Sequence, residues 1–435
     1  MVSDPANKSR HRSDGSRSGD LLAWLDERLP LTATWRAHLT EYYVPKTLNF
    51  WYCFGVLALV VLVLQIVTGI FLAMFYKPDA SLNSDGLPVA FASVEHIMRD
   101  VSWGWLIRYL HSTGASAFFA VLYGHVFRGL LYGSYRKPRE LLWLSGILLF
   151  LVVMAEAAMG HLLPWGQLSY WGAQVVLGLF LAIPVFGESL ATALRGDYVL
   201  GDATLGRFFA LHVVAVPLVL LGLWRLHFTA LREVGSSSPD GSELRDFLDA
   251  DGRPRGGIPF HPFHTVRDFF AVTAFFVIFA TIVFFAPEGG GVFLEYANYS
   301  PADPLRTPQE ILPMWYFAPF YAILRVVVWP IFGLDAKMLG GLAMAASIGL
   351  FAFLPWLDRG PVRSIRQRGP LFKAALAIFT VAFLMLGWLG TLPPSPAGQL
   401  ASQICSVLYF AFFLLMPWYS RIDRCKPAHG KAGSA

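Results

Sequence analysis

The sequence predicts an all-α polytopic membrane protein with eight transmembrane helices, and three observations carry that reading. Apolar residues make up 55% of the 435 residues and charged residues only 14%, against about 25% charged in a soluble domain. Eight stretches approach the roughly 20 apolar residues that a spanning helix needs. The Lys and Arg residues between them fall in alternate connections, the pattern that cytoplasmic loops impose. This composition excludes a disordered chain, a coiled coil and a cytosolic enzyme. Cys53, Cys405 and Cys425 are scattered, without metal-ligand spacing and too few for a disulfide-stapled fold. A net charge of +5 reflects basic cytoplasmic loops and implies no nucleic acid.

Residues 1–20 are rich in Ser, Arg and Asp and read as a disordered tail, with an amphipathic lead-in to residue 40. Spans are expected at 52–76, 105–131, 141–163, 208–231, 269–286, 338–357, 371–391 and 402–419. The hydrophilic insert 232–267, with Ser236-Ser237-Ser238-Pro239-Asp240-Gly241, reads as a loop. Stretch 175–186 is broken by Pro184, and 311–334 by Pro313, Pro319 and Pro330; both read as short surface or re-entrant helices. Eight spans then put the tail, 132–140, 232–267, 358–370 and the C-terminus, all basic, on one side. Both termini are expected in the cytoplasm, and the long loops 164–207 and 287–337 outside. The expected organisation is a tail and lead-in 1–40, a four-helix bundle 41–231, a loop 232–267, a four-span region 268–421 and a tail 422–435.

Ionisable residues at membrane depth are expensive and point to function. The second span carries His111 and His125, 14 residues apart; the fourth carries His212 and His227, 15 apart. Each pair lies near one helix face with about 21–22 Å between its members. Both helices run in the same direction, so His111 meets His212 at one depth and His125 meets His227 at another. Imidazoles facing each other across a bundle suit bis-His haem iron. The competing reading is four unrelated histidines, each hydrogen-bonded to a neighbouring helix; the matched spacing argues against it. A zinc site would want a Cys or carboxylate at the same levels, and none is apparent. Gly55 and Gly69 in the first span, and Gly146 and Gly160 in the third, repeat the spacing of 14 and would make room for a flat macrocycle. Arg108 and Arg207, at the outer ends of the histidine helices, either pair with haem propionates or snorkel to the interface.

These residues resemble a known family. Arg108-Tyr109-Leu110-His111-Ser112-Thr113-Gly114-Ala115-Ser116, Leu163-Pro164-Trp165-Gly166-Gln167, Ile258-Pro259-Phe260-His261-Pro262 and Pro313-Met314-Trp315-Tyr316 are similar, in order, to cytochrome b of the ubiquinol–cytochrome c oxidoreductase, the respiratory bc complex. The likeness runs over about residues 40–420 and favours the bacterial form, in an inner membrane. It implies two non-covalent haems b, one on His111 and His212 and one on His125 and His227. It implies ubiquinol oxidation at an outer site, quinone reduction at an inner site and proton translocation. It also implies a Rieske iron–sulfur protein, a membrane-anchored c-type cytochrome and a dimer of the complex as partners.

The chain departs from the family pattern at three places. The outer-site glutamate after the proline is Met314, which takes no proton; either Glu310 or Glu295 takes over the proton exit or both are ordinary solvated loop acids, while Tyr316 retains the family's tyrosine. The residue after Gly160, usually tyrosine, is His161, either a proton handler or a helix-end residue tied to the loop. At the inner site Asp268 matches the quinone-facing aspartate, with Arg267 beside it, and also suits a helix N-terminus. The inner-site histidine is replaced by Arg232, which donates hydrogen bonds to a quinone or a lipid headgroup. The alternatives are a divergent dihaem paralogue with a slow or altered outer site, and a haem-free proton-coupled transporter.

Overall fold

The computed structural model describes residues 16–244, 248–249, 254–330 and 333–426. Eight helices among these are long and apolar enough to cross a membrane: Phe50–Ala73, Gly104–Tyr132, Glu140–Leu162, Asp202–Val234, Phe260–Phe285, Ala336–Leu357, Pro370–Gly390 and Pro396–Leu414. They are called here the first to eighth spans. Long runs of Leu, Val, Ile and Phe become helices because hydrocarbon offers the backbone no partner but itself. Their starts are marked by local chemistry. The side chains of Asn49, Asp335 and Ser395 each accept a bond from a backbone N–H of the first turn, which satisfies a donor the helix leaves open. Pro370 and Pro396 occupy first positions, where no N–H is needed.

The described residues up to Lys46 and those between Leu244 and Phe269 form one compact unit. In it Tyr43–Pro45 pairs antiparallel with Gly257–Pro259, and the Trp35 ring meets His261 edge-on at 5.8 Å. Thr47–Glu243 and Phe270–Ala435 form the second unit. Within it the first span packs on the second and the third on the fourth. The seventh span packs on the eighth and on a short helix, Ala318–Arg325. One buried cluster, including Phe372, Phe379, Tyr409 and Phe413, holds the C-terminal spans together. Another, including Val61, Phe119, Phe150, Tyr316 and Phe320, joins the first spans to the segment before the short helix.

The second unit has two unlike ends. At the arginine-rich end, Glu243 takes both guanidinium nitrogens of Arg139 at 2.7 Å and also binds Arg363. There too Asp358 and Arg368 form a fully buried ion pair, with the Tyr135 hydroxyl donating to the same carboxylate at 2.8 Å. At the loop-rich end lie the helices Val89–Arg99, Gln167–Phe180 and Gly187–Arg195.

The eight spans stand where the sequence puts them, with displaced ends. The expected tail lies outside the described residues up to residue 15; from Ser16 to Asp26 the chain is helical. The fourth span begins at Asp202 rather than 208, because a polar first turn escapes a hydropathy reading. The loop expected at 232–267 is shorter, since helix continues to Val234 and strand resumes at Gly257. The eighth span stops at Leu414 rather than 419, and a separate turn, Met416–Ile422, follows. Pro417 lacks the N–H that would continue the first helix. The stretches 175–186 and 311–334 do not span; Gln167–Phe180 ends before Pro184, and Ala318–Arg325 is a single short helix.

Replacing Arg368 by Met removes the nearer of two cations from the buried Asp358 carboxylate and leaves Arg136 at 4.0 Å, at a cost of up to about 3–5 kcal/mol. Thermal unfolding in detergent should show a clearly lower transition for Arg368→Met, with most of the loss recovered when Asp358→Asn is added.

Candidate functional site

The second and fourth spans carry the four histidines as two facing tiers. The ring centroids of His111 and His212 lie 6.2 Å apart and those of His125 and His227 lie 6.3 Å apart. Two imidazoles binding one metal ion from opposite sides, with bonds of about 2 Å, place their ring centres about 6 Å apart. Both tiers therefore fit an iron held between axial imidazoles.

The first and third spans supply the glycines, one against each ring. A Cβ on Gly69 would lie 3.1 Å from His111, one on Gly55 3.5 Å from His125, and one on Gly146 3.0 Å from His227. A Cβ on Gly160 would collide with the His212 ring. The sequence assigns these glycines to the faces of a macrocycle; in the structure they first admit the imidazoles.

Hydrogen bonds orient the rings. The Thr68 hydroxyl donates to the Leu64 carbonyl at 2.7 Å, so it accepts from His111 Nδ1 at 2.9 Å. The Ser145 hydroxyl donates to the Leu142 carbonyl at 3.0 Å and accepts from His227 Nδ1 at 3.1 Å. His212 Nδ1 faces two oxygens of Glu156, the carbonyl at 3.0 Å and Oε1 at 3.1 Å. With the proton on Nδ1, the lone pair is on Nε2, the tautomer a metal-binding imidazole needs. The Nδ1 of His125 is buried with no partner among the described residues.

Sequence reasoning missed Thr68, Ser145 and Glu156. A signal existed: Thr68 and Ser145 each directly precede a tier glycine, and Glu156 stands one turn before Gly160. Glu156 also corrects the expectation that no carboxylate lies at histidine level. Zinc still lacks a donor set, since no group of three His, Cys, Asp or Glu suited to a metal occurs among the described residues. Arg128 was missed as well. It follows His125 by three residues as Arg108 precedes His111 by three, and it lies over the Tyr52 ring and donates to Ser134.

A cavity of about 440 Å³ opens from the His111–His212 tier to the loop-rich end. Arg108 and Glu156 line it beside the histidines, and His161, Glu295, Met314 and Tyr316 line its far part. His161 Nε2 lies 3.3 Å from Glu295 Oε2 and 3.3 Å from the amide nitrogen of Asn298. Burial pushes the Glu295 carboxyl up, but the facing His161 and the hydrogen bonds from His161 and Asn298 outweigh it and hold the group below its ordinary pKa. Asn298 also accepts from the Ser169 N–H at 2.8 Å, and Ser169 donates to the His161 carbonyl at 2.5 Å, so the loop is bound to the end of the third span. Tyr316 stacks on Phe119 at 4.0 Å, and burial pushes its phenol well above the usual value. Its carbonyl accepts from the Tyr123 hydroxyl.

Other expected site residues lie elsewhere. Glu310 is exposed and does not line the cavity. Arg207 is exposed, donates to the Ala193 carbonyl and does not line the cavity. Arg232 lies in the last turn of the fourth span, over the Phe228 ring at 4.8 Å. Asp268 is the acidic residue in the first turn of Thr265–Phe285, next to Arg267.

Eight membrane helices with two tiers of facing imidazoles define the framework of a membrane-bound haem cytochrome. Comparison with known proteins narrows this. The family model for cytochrome b/b6/petB matches residues 39–235, and that for the C-terminal part of cytochrome b/b6/petD matches residues 301–410. The chain is 57% identical over 410 residues to the cytochrome b of Allochromatium vinosum, covering 93% of this chain and 96% of that one. It is 44% identical over 407 residues to the cytochrome b of Rhodospirillum rubrum, with 93% and 94% covered. A chain of a solved hyperthermophilic respiratory complex III superposes with a TM-score of 0.81 at 38% identity, over 92% of this chain and 98% of that one. The chain belongs to the cytochrome b family, in the form found in bc1-type respiratory complex III, a membrane-bound oxidoreductase.

Gly160→Val drives a branched side chain into the space of His212. The reduced-minus-oxidised spectrum of the purified complex should then lose about half of its b-type absorbance, while a substitution at Gly341, around which space is open, should leave it intact.

Proposed function

We propose that the chain oxidises ubiquinol at the loop-rich end and reduces quinone at the arginine-rich end, coupled to proton translocation. The observation that carries this reading is the pair of histidine tiers, each at bis-imidazole separation and each with a glycine against both rings. Two haems b held there, by His111 with His212 and by His125 with His227, would supply one-electron carriers across the width of the bundle. Arg108 and Arg128 are the cations suited to the propionates of the two groups.

At the loop-rich end the apolar wall of Phe119, Met314 and Tyr316 suits the flat quinol ring. A quinol that gives up two electrons gives up two protons, and Met314 takes neither. His161 and Glu295 are the acceptors this chain offers. Its partners hold the Glu295 carboxyl below its ordinary pKa, and His161, 3.3 Å away, lines the same cavity. One electron passes to a Rieske iron–sulfur protein and on to a membrane-anchored c-type cytochrome; the other serves quinone reduction at the arginine-rich end. Asp268, with Arg267 next to it in sequence, is the proton-delivering candidate for that reduction, and Arg232 is a candidate donor to a quinone or a lipid headgroup. The basic segments put the arginine-rich end and both termini in the cytoplasm of a bacterial inner membrane. The complex is expected to work as a dimer.

Inhibitor-sensitive quinol–cytochrome c reductase activity of the purified complex tests the reading. Robust turnover is expected; b haems without turnover would instead favour a divergent paralogue. Glu295→Gln should slow quinol oxidation about 100-fold, at the low end of general-base effects, whereas Glu310→Gln should leave the rate unchanged. The sign of the pH response follows from the lowered pKa: activity in the native protein persists as pH falls through the ordinary carboxylate range, and is lost only below the depressed value. Asp268→Asn should slow reoxidation of the arginine-end haem by quinone in a flash or stopped-flow trace; an unchanged trace would remove Asp268 from that role.

A further inference from the structure

The Glu156 carboxylate has no part in the scheme above, yet it touches a proposed axial ligand. We propose that Glu156 is a positioning residue for the haem of the His111–His212 tier, lowering the reduction potential of that haem relative to the other. The inference rests on the reading of His212 as an axial ligand and goes beyond it.

The four histidines differ in what holds Nδ1. His111 and His227 donate to neutral hydroxyls, those of Thr68 and Ser145, and His125 Nδ1 has no partner among the described residues. Only His212 faces a carboxylate, with Oε1 at 3.1 Å from Nδ1 and side-chain exposures of 15% and 18%. The other carboxylate oxygen is buried with no hydrogen-bond partner among the described residues, so no neighbouring donor draws the group away from the imidazole. The backbone carbonyl of Glu156 takes the same Nδ1 proton at 3.0 Å. One turn later Gly160 clears the space the ring fills. A single turn of the third span thus seats His212 and places an acid behind it.

A carboxylate behind a ligating histidine raises the basicity of the ligand. A more basic axial nitrogen stabilises the more highly charged, oxidised metal, and hydrogen bonding around the ligands is one of the levers on haem potential. A hydroxyl partner does this less. The asymmetry makes the loop-end tier the better electron donor of the two, in the direction that quinone reduction at the arginine-rich end requires.

The test is an optical redox titration of the b bands in the purified complex, comparing the native chain with Glu156→Gln at one pH. The expected result is a positive shift of one midpoint, with the other unchanged and both haems retained. Two unchanged midpoints, or equal shifts of both, would overturn the proposal. Glu156→Thr removes the charge with a smaller side chain and gives the same comparison should the glutamine variant fail to assemble. A parallel His212→Leu variant separates the two readings: loss of one b haem supports ligation by His212, whereas retention of both defeats the ligation reading whatever the Glu156 titration shows.

Discussion

Four imidazoles inside a membrane bundle are the constraint on which the rest of this structure depends. A polar group in hydrocarbon is costly unless its hydrogen-bonding atoms have partners. The second and fourth spans must therefore run in the same direction, so that their histidines share two depths. The first and third spans must offer glycine where each ring passes, and for His111, His227 and His212 they also set a hydroxyl or an acid where Nδ1 points. Thr68 with Gly69 and Ser145 with Gly146 meet both demands with adjacent residues. The apolar residues between the tiers, such as Val61, Phe119 and Phe150, then pack as an ordinary core.

The eight spans were legible because hydrophobic length is a property of the chain alone. Their ends were less so. Asp202 opens the fourth span with a turn that a hydropathy reading discards, and Pro417 breaks what looks like one continuous apolar run. The histidine tiers were legible because two nearly equal spacings, 14 and 15 residues, on helices of known pitch fix depth and face. Their supporting residues were not, since a threonine or glutamate in a span reveals its partner only when helices are packed. Glu295 and Glu310 illustrate the same limit. Both are acids in one loop, and only the fold of that loop brings one to His161 and leaves the other in solvent.

At the loop-rich end the cavity draws its volume and its charge from different residues. Met314 packs with Trp315, Tyr316 and Phe320 in the apolar cluster, so the position after Pro313 contributes volume and no charge. Charge enters from the opposite wall, where Asn298 and Ser169 bind the loop to the third span and hold Glu295 beside His161. The carboxylate's lowered pKa follows from the same contacts.

Glu243 joins two parts of the chain that are far apart in sequence, since Arg139 follows the second span and Arg363 follows the sixth. The two halves matched by separate family models, 39–235 and 301–410, thus meet through side chains as well as through the peptide that links them. Three charged side chains thus clamp the ends of the second and sixth spans at one depth, a tie that does not depend on how many residues separate them along the chain.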